Sequence, residues 1–327
     1  MTAPFNALLL LLLTISSHAF PPLKSSNAAP TTRLSMSSSS TSQQQSSVAI
    51  VGMGVLGTSL ARQLLESKEY TRITGITKST ARHDAIRNAL CLHDIYDGRL
   101  SLKTMEEASA SEEQFRDVVF CAPPSGFEDY PSAVASASKL RSSTLGGSFV
   151  FTSSGGVYPD SLDGEIVDES TPLEESDPRK ARGIGAEKAC LREGGCALRL
   201  AGLYTLERGA HNYWLEKTDG IVKGREDGII NLLHYDDAAA SCLAALRVGP
   251  QVNANKIFLI SDGHPTTRRG ICESALKSAR YRGCGMPKFE GAEGEKRGKI
   301  YDGSWSDKTL GWRARFASFD AFMESMA

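Results

Sequence analysis

Three glycines spaced as Gly52-x-Gly54-x-x-Gly57 are the first feature of the chain whose type and spacing indicate chemistry. They directly follow the uncharged, β-branched run 47–51, and a segment with leucines at every fourth position follows them. Strand, glycine turn and helix form the context in which this pattern predicts dinucleotide binding. Gly52 allows the tight turn, Gly54 lets a pyrophosphate approach the backbone, and Gly57 lets the helix pack on the strand.

The start of the predicted helix strengthens this interpretation, because a helix N-terminus offers free N–H groups and partial positive charge to phosphates. A glycine turn kept only for packing is the alternative. The turn residues expected to contact the cofactor are Gly52, Met53, Gly54, Val55, Leu56 and Gly57.

The end of the second predicted strand, 72–77, indicates which dinucleotide is bound. An NAD-binding unit places an Asp or Glu there to hold the ribose hydroxyls, but this chain has two cations and three hydroxyls and no acid before Asp84. Lys and Arg make charge-assisted bonds to a 2′-phosphate. The sequence therefore predicts NADP rather than NAD, held by Thr77, Lys78 and Arg82. Alternatively, both cations are solvated residues of the next helix.

Strands and helices alternate along the rest of the chain, which predicts an α/β fold: a doubly wound parallel (Rossmann) sheet with right-handed crossovers. One strand, 117–122, stops at a proline pair because proline cannot donate to the ladder. We add Ala122 and Pro123 to the expected cofactor contacts.

A less regular pattern after residue 200 predicts a smaller C-terminal substrate lobe interleaved with the sheet. Other predicted segments are a helix at 130–140 and strands within 147–158, 196–201 and 256–260.

Three later segments, 152–158, 198–204 and 230–237, together resemble the extended short-chain dehydrogenase/reductase group, which includes nucleotide-sugar epimerases and dehydratases. The final stretch, 298–312, resembles the closing segment of that group, so the resemblance covers 47–325. It implies catalysis by a Tyr-x-x-x-Lys pair and a Ser. The Tyr exchanges a proton with the substrate oxygen, and the Ser orients the substrate. The Lys lowers the pKa of the Tyr and also holds the ribose.

The helix expected to carry the Tyr–Lys pair contains no tyrosine. Aligned on Lys188, the tyrosine position holds Ile184. Aligned instead on 186–187, it holds Arg179, and the lysine position holds Gly183. In either alignment the proton donor is missing, and losing a general acid costs on the order of 10²–10⁴ in rate. With its tyrosine missing, the chain resembles the atypical short-chain dehydrogenases, whose members often bind NADP with weak or unknown chemistry.

The resemblance makes Ser154, Tyr158 and Lys188 the catalytic candidates. Tyr158 and Tyr204 lie near the expected cleft and are the candidates to replace the missing donor. Ser154 is also explained as a strand-end residue that satisfies backbone groups. His234 is expected to be structural, because the two aspartates that follow it would cap a helix at 238–246. The cluster 211–214 suits either a substrate wall or packing.

Composition excludes several functional classes. The 327 residues carry 37 Lys+Arg and 38 Asp+Glu, a balance that argues against nucleic-acid binding through bulk charge. No apolar run approaches the roughly 20 residues of a membrane span. The seven cysteines are scattered without a Cys-x-x-Cys pair, so neither a disulfide framework nor a metal site is expected.

The sequence thus predicts an NADP(H)-dependent oxidoreductase or epimerase-like enzyme for a small carbonyl or sugar-nucleotide-like substrate. The alternative is a module that binds NADP(H) without turnover, as a sensor or as a plastid assembly or RNA-associated factor. A homodimer is left open. The domains expected are a presequence (1–45), an NADP-binding Rossmann domain (46–200) and the last sheet strands with the substrate lobe (201–327).

The presequence has two parts. Residues 7–15 form an apolar run with six consecutive leucines, about the length of a signal-peptide core, and a hydroxyl-rich stretch with no Asp or Glu follows. This order resembles the plastid presequences of algae with secondary plastids, which have a Phe at the junction, here Phe20. We expect a plastid protein. Secretion is the alternative, although unpaired cysteines suit an oxidising compartment poorly.

We expect residues 1–45 to be absent from the protein in cells, because both parts of the presequence are removed during import. N-terminal sequencing of protein extracted from cells tests this expectation. Detection of residues 2–20 at the N-terminus would contradict it.

Overall fold

The computed structural model describes residues 46–91 and 98–327. The predicted presequence lies outside the described residues, so its removal and the plastid localisation stay predictions. Within the described ranges, no helix is long and apolar enough to cross a membrane.

Strands and helices alternate as the sequence predicts. The strands are β1 (Ser47–Val51), β2 (Arg72–Thr77), β3 (Leu100–Thr104), β4 (Asp117–Phe120), β5 (Phe149–Ser154), β6 (Ile166–Val167), β7 (Cys196–Leu200), β8 (Gly202–Tyr204), β9 (Ile221–Lys223), β10 (Ile229–Ile230), β11 (Leu232–His234), β12 (Ile257–Ile260), β13 (Thr266–Thr267), β14 (Lys288–Glu290) and β15 (Ile300–Tyr301). The helices are α1 (Val55–Ser67), α2 (His83–Cys91), α3 (Met105–Ala110), α4 (Tyr130–Ser138), α5 (Pro178–Arg192), α6 (Ala210–Glu216), α7 (Tyr235–Val248), α8 (Pro250–Asn253), α9 (Arg268–Lys277), α10 (Ser304–Leu310) and α11 (Phe319–Glu324).

Seven strands form one parallel sheet in the order β12-β7-β5-β4-β1-β2-β3, which confirms the predicted doubly wound α/β fold. The order reverses between β1 and β4. In such sheets, the carboxyl ends of the strands beside the reversal form a crevice where ligands bind. The glycine turn follows β1 and therefore lies in this crevice.

Helices cover both faces of the sheet, which explains why its central strands are apolar on both sides. On one face α1 and α7 pack together, and Leu60 and Leu64 of α1 are fully buried. On the other face α4 and α5 pack together, with Val134 and Ala186 fully buried. The two layers hold the strand ends rigidly on either side of the crevice.

A separate apolar cluster lies outside the sheet, as expected for a smaller C-terminal lobe. Its fully buried aromatic residues include Tyr204, at the end of β8, and Tyr281, and side chains of α9 and α11 pack against them. Strand β8 pairs with β11, whereas β12 belongs to the main sheet, so the lobe is interleaved with the sheet in sequence. The domain boundary at residue 200 stays a prediction.

One strand was not predicted and one local expectation is corrected. The strand is β3, at the edge of the sheet, whose residues are mostly half-exposed. The helix expected at 238–246 begins at Tyr235, because the Nδ1 atom of His234 accepts the N–H of Asp236 at 3.1 Å and caps it. Asp237 is therefore not a cap: it accepts the N–H groups of residues 315 and 316 at 2.8 and 3.0 Å.

Candidate functional site

The turn between β1 and α1 is shaped by two close backbone approaches. Gly52 has a φ of +103°, and a Cβ atom there would lie 2.4 Å from the nitrogen of Ala122. A Cβ atom on Gly57 would lie 2.1 Å from the carbonyl oxygen of Gly52. Only glycine fits these two positions. The turn thereby brings the N-terminus of α1 against the end of β1.

Gly54 differs from the other two glycines because it faces open space. A Cβ atom there would meet no atom within 4 Å. Gly54 is also the N-cap of α1, where no side chain caps the helix and the first turn has no acidic residue. The N–H groups of that turn are therefore available to an anion, together with the positive end of the helix dipole. These residues fit a dinucleotide pyrophosphate.

A cavity of about 450 Å³ lies beside this turn, at the carboxyl ends of β1, β4, β5 and β7. Met53 is 3% exposed, so its side chain belongs to the core rather than to the cavity. Gly52 and Gly57 shape the turn without lining the cavity. The predicted site residues that line it are Gly54, Val55, Leu56, Ala122, Pro123 and Ser154.

A second cavity, of about 290 Å³, lies between α1 and α2 and shares Gly54 and Val55 with the first. Arg82 and Arg62 line it. The Arg62 guanidinium forms ion pairs with carboxylates at 66 and 236, whereas Arg82 has no ion pair among the described residues. The space next to the glycine turn therefore has on its wall a cation that no described carboxylate pairs with.

Thr77 and Lys78, the other two residues predicted to hold a 2′-phosphate, differ in whether protein groups already bind their side chains. The Thr77 hydroxyl lies 2.7 Å from the His83 Nε2 atom and 3.0 Å from the Ser79 carbonyl oxygen, so it is already bound within the protein. Lys78 is exposed and lines neither cavity. Within the described chain, it makes no ion pair.

The two serines at the end of β5 have different roles. Ser153 donates to the Oε1 atom of Glu187 at 2.6 Å, and that carboxylate forms a buried bidentate pair with Arg199. Ser153 therefore belongs to a structural network. The Ser154 hydroxyl accepts the N–H of Gly156 at 3.1 Å, and its side chain is exposed at the cavity wall. Its own proton has no acceptor in ranges 46–91 and 98–327, so the hydroxyl can donate to a ligand.

The same Glu187–Arg199 pair fixes the rotation of α5. With Glu187 directed at the sheet, Gly183, one helical turn earlier, lines the cavity. Lys188 lies on the exposed side and pairs with Glu175 at 2.6 Å, so the structure does not bring it together with Ser154. Ile184 is 4% exposed and packs in the core. This rotation agrees with the alignment on 186–187 and not with the alignment on Lys188.

Neither tyrosine considered as a replacement donor lines the cavity. Tyr158 is fully buried beneath the Arg199 guanidinium, which lies 4.7 Å from its ring centroid, and burial raises the pKa of Tyr158 to about 12. Tyr204 is fully buried among the rings of His234 and Phe319, and burial raises its pKa well above the usual range. Both hydroxyls are packed away from a ligand in the cavity.

The residues that line the cavity and that sequence reasoning missed include two tyrosines and an arginine. Tyr130 donates to the Ala122 carbonyl at 2.8 Å. Tyr235 and Arg208 contact each other, with the Arg208 Nε atom donating to the Tyr235 hydroxyl at 3.0 Å. Arg208 is the one charged residue among the described residues that line the cavity. No local pattern marks these positions, since each comes from a different segment.

The cluster 211–214 does not line the cavity. His211 and Asn212 are buried, and the Nε2 atom of His211 lies 3.0 Å from the Leu206 carbonyl. In the described part of the chain, no group of three or more His, Cys, Asp or Glu side chains is arranged to hold a metal ion.

No protein-family model matches the sequence, and no curated protein matches it. Solved structures do share its fold. The UDP-glucose 4-epimerase of Thermotoga maritima, with UDP-glucose, aligns at a TM-score of 0.64 and 16% identity over 86% of this chain and 97% of that one. A yeast methylglyoxal/isovaleraldehyde reductase complexed with NADPH aligns at 0.63 and 16% over the same shares. A dTDP-glucose 4,6-dehydratase double mutant from Streptomyces venezuelae, with NAD bound, aligns at 0.63 and 20% over 85% and 95%.

These similarities establish the fold. The chain has the Rossmann-type fold that these structures share. The fold that the sequence resemblance implied is therefore confirmed.

We expect Gly54→Val to abolish dinucleotide binding and to leave the fold intact. The added side chain would occupy the open space beside the first turn of α1, where a Cβ atom meets no protein atom within 4 Å. Calorimetric titration with NADPH measures binding, and thermal unfolding measures the fold. Gly283→Val is the matched control, because Gly283 also faces open space and lies outside both cavities. Unchanged affinity of the Gly54→Val protein would show that the pyrophosphate does not lie at this turn.

Proposed function

We propose that the chain binds NADP(H) at the glycine turn and acts as an oxidoreductase or epimerase-like enzyme on a small carbonyl or sugar-nucleotide-like substrate. One observation carries this proposal: a single cavity joins the uncapped first turn of α1 at Gly54 to the exposed hydroxyl of Ser154. Cofactor-binding and substrate-orienting groups thus share one space. Structures with the same fold are described with NAD, NADPH or UDP-glucose, which supports both ligand classes.

The charges after β2 support NADP(H) over NAD(H). Lys78 and Arg82 are exposed and have no ion pair among the described residues, and Arg82 lines the cavity that continues from Gly54. The nearest acid in the sequence, Asp84, pairs with Arg87 at 3.0 Å. A 2′-phosphate can therefore approach two cations that no carboxylate of the described residues neutralises.

The proposed reaction depends on the hydrogen bond that the Ser154 hydroxyl can donate to the substrate. A bound nicotinamide would supply or accept a hydride at the substrate carbon. Because the Ser154 oxygen already accepts the Gly156 N–H, its O–H proton is directed to other acceptors, and a substrate oxygen in the cavity is one. Such a donor stabilises charge that develops on that oxygen. A serine hydroxyl is a weak acid, so we expect slow turnover.

One observation favours a second function, binding of NADP(H) without turnover. In the alignment on 186–187, which the rotation of α5 supports, the family's lysine position holds Gly183 and the tyrosine position holds Arg179. Arg179 is 89% exposed and pairs with Asp177. A chain that senses NADP(H) needs no proton donor. Turnover measurements separate the two functions.

NADPH is expected to bind at least about tenfold more tightly than NADH, because charge-assisted bonds from Lys78 and Arg82 reach only a 2′-phosphate. The double variant Lys78→Ala/Arg82→Ala should remove most of this difference, by weakening NADPH and leaving NADH unchanged. Calorimetry gives both dissociation constants. Lys139→Ala/Arg192→Ala is the control, since both residues are exposed and line neither cavity. Equal affinities of the wild-type chain for the two cofactors would refute the NADP assignment.

Ser154→Ala should lower kcat by about 10²-fold, with a change in KM of only a few fold, because the lost bond strengthens as charge develops on the substrate oxygen. The assay follows NADPH oxidation with carbonyl compounds, including methylglyoxal and isovaleraldehyde, and the conversion of UDP- and dTDP-sugars by chromatography. Ser143→Ala, at an exposed serine outside the cavity, is the control. Tight NADPH binding with no turnover of any of these compounds would favour the sensing function instead.

A further inference from the structure

The lining of the larger cavity carries charge of one sign only, which is positive. Twenty residues line it, and Arg208 is the one charged side chain among them; none of these described residues is an Asp or Glu. The first turn of α1, at Gly54, lines the same cavity and adds positive potential from the helix dipole. A ligand that fills this space therefore meets two sources of positive charge.

The Arg208 guanidinium has N–H donors that form no hydrogen bond with the described residues. Its Nε atom donates to the Tyr235 hydroxyl at 3.0 Å, which leaves the N–H groups of Nη1 and Nη2 without a partner among the described residues. Glu207, the neighbouring carboxylate, instead lies 3.3 Å from the Thr205 hydroxyl and forms no ion pair with Arg208. Since the Tyr235 oxygen accepts from Arg208, its own proton is available as a further donor.

The loop that holds Arg208 is fixed before any ligand binds. The N–H of Thr205 donates to the Arg208 carbonyl at 2.8 Å and closes a tight turn. The carbonyl of Leu206, within that turn, accepts the Tyr281 hydroxyl at 2.7 Å and lies 3.0 Å from the His211 Nε2 atom. Both partners are buried, so the turn is anchored to the core of the C-terminal lobe. Pre-organisation of this kind lowers the entropic cost of binding.

We propose that Arg208 and Tyr235 form an anion-binding site for a carboxylate or phosphate group on the substrate. A guanidinium fork matches the two oxygens of such a group, and the Tyr235 hydroxyl adds a donor beside the fork. The substrate class narrows accordingly, from any carbonyl compound to one that carries an anionic group. This inference rests on the proposed function in assuming that the pyrophosphate of NADP(H) lies at the first turn of α1.

The test uses the full chain saturated with NADPH, so that the phosphate site at the first turn of α1 is occupied. Inorganic phosphate and malonate serve as probes, and calorimetry measures their binding. Both should bind the wild-type complex, and Arg208→Met should weaken them by about tenfold or more. Arg208→Lys, which keeps the charge without the fork, should be intermediate. Tyr235→Phe should weaken them by a few fold.

Two measurements complete the design. Arg192→Met, at an exposed arginine outside the cavity, should bind the probes as the wild type does. NADPH itself should bind Arg208→Met with an affinity within about twofold of wild type, because the site holds the substrate's anion and not the cofactor's.

Three results would overturn the inference. They are the absence of probe binding to the wild-type complex, equal probe binding by Arg208→Met, and a tenfold loss of NADPH affinity in that variant, which would assign Arg208 to the cofactor. Failure of the proposed function looks different. If NADPH does not bind the wild-type chain and the probes still bind in an Arg208-dependent manner, the anion site stands and the cofactor assignment falls.

Discussion

The approach of Gly57 to the carbonyl of Gly52 is the contact on which the site depends. A Cβ atom at Gly57 would lie 2.1 Å from that oxygen, so any side chain there would push α1 away from β1. With glycine, the helix begins immediately after the strand, and its first N–H groups lie at the strand ends. The cavity, the open space at Gly54 and the access of Ser154 to the same space all follow from this placement.

A second contact, on α5, determines which residues of that helix face the cavity. The buried pair of Glu187 and Arg199 directs one side of the helix at the sheet. The two sequence alignments of this helix differ by five positions, which corresponds to a rotation of about 140°. Local sequence cannot choose between them, because the partner that fixes the rotation lies on β7. The pair turns Lys188 to solvent and brings Gly183 to the cavity.

The features that could be predicted from the sequence are those encoded over short stretches. The glycine turn, α1 and the buried strands β1, β2 and β7 follow from residue type and spacing within about ten positions. Edge strand β3 was missed because half-exposed residues give a weak signal. Arg208 and Tyr235 were missed for another reason: they come from separate segments, and only the pairing of β8 with β11 brings those segments side by side. The buried positions of Tyr158 and Tyr204 likewise depend on packing between distant elements.

The central claim is that the first turn of α1 is the phosphate end of a dinucleotide site that extends to Ser154. A crystal structure of the full chain with NADP⁺ tests it most directly. The account predicts pyrophosphate density against the backbone N–H groups beside Gly54, with the 2′-phosphate next to Lys78 and Arg82. Dinucleotide bound elsewhere on the chain, with this cavity empty, would contradict it.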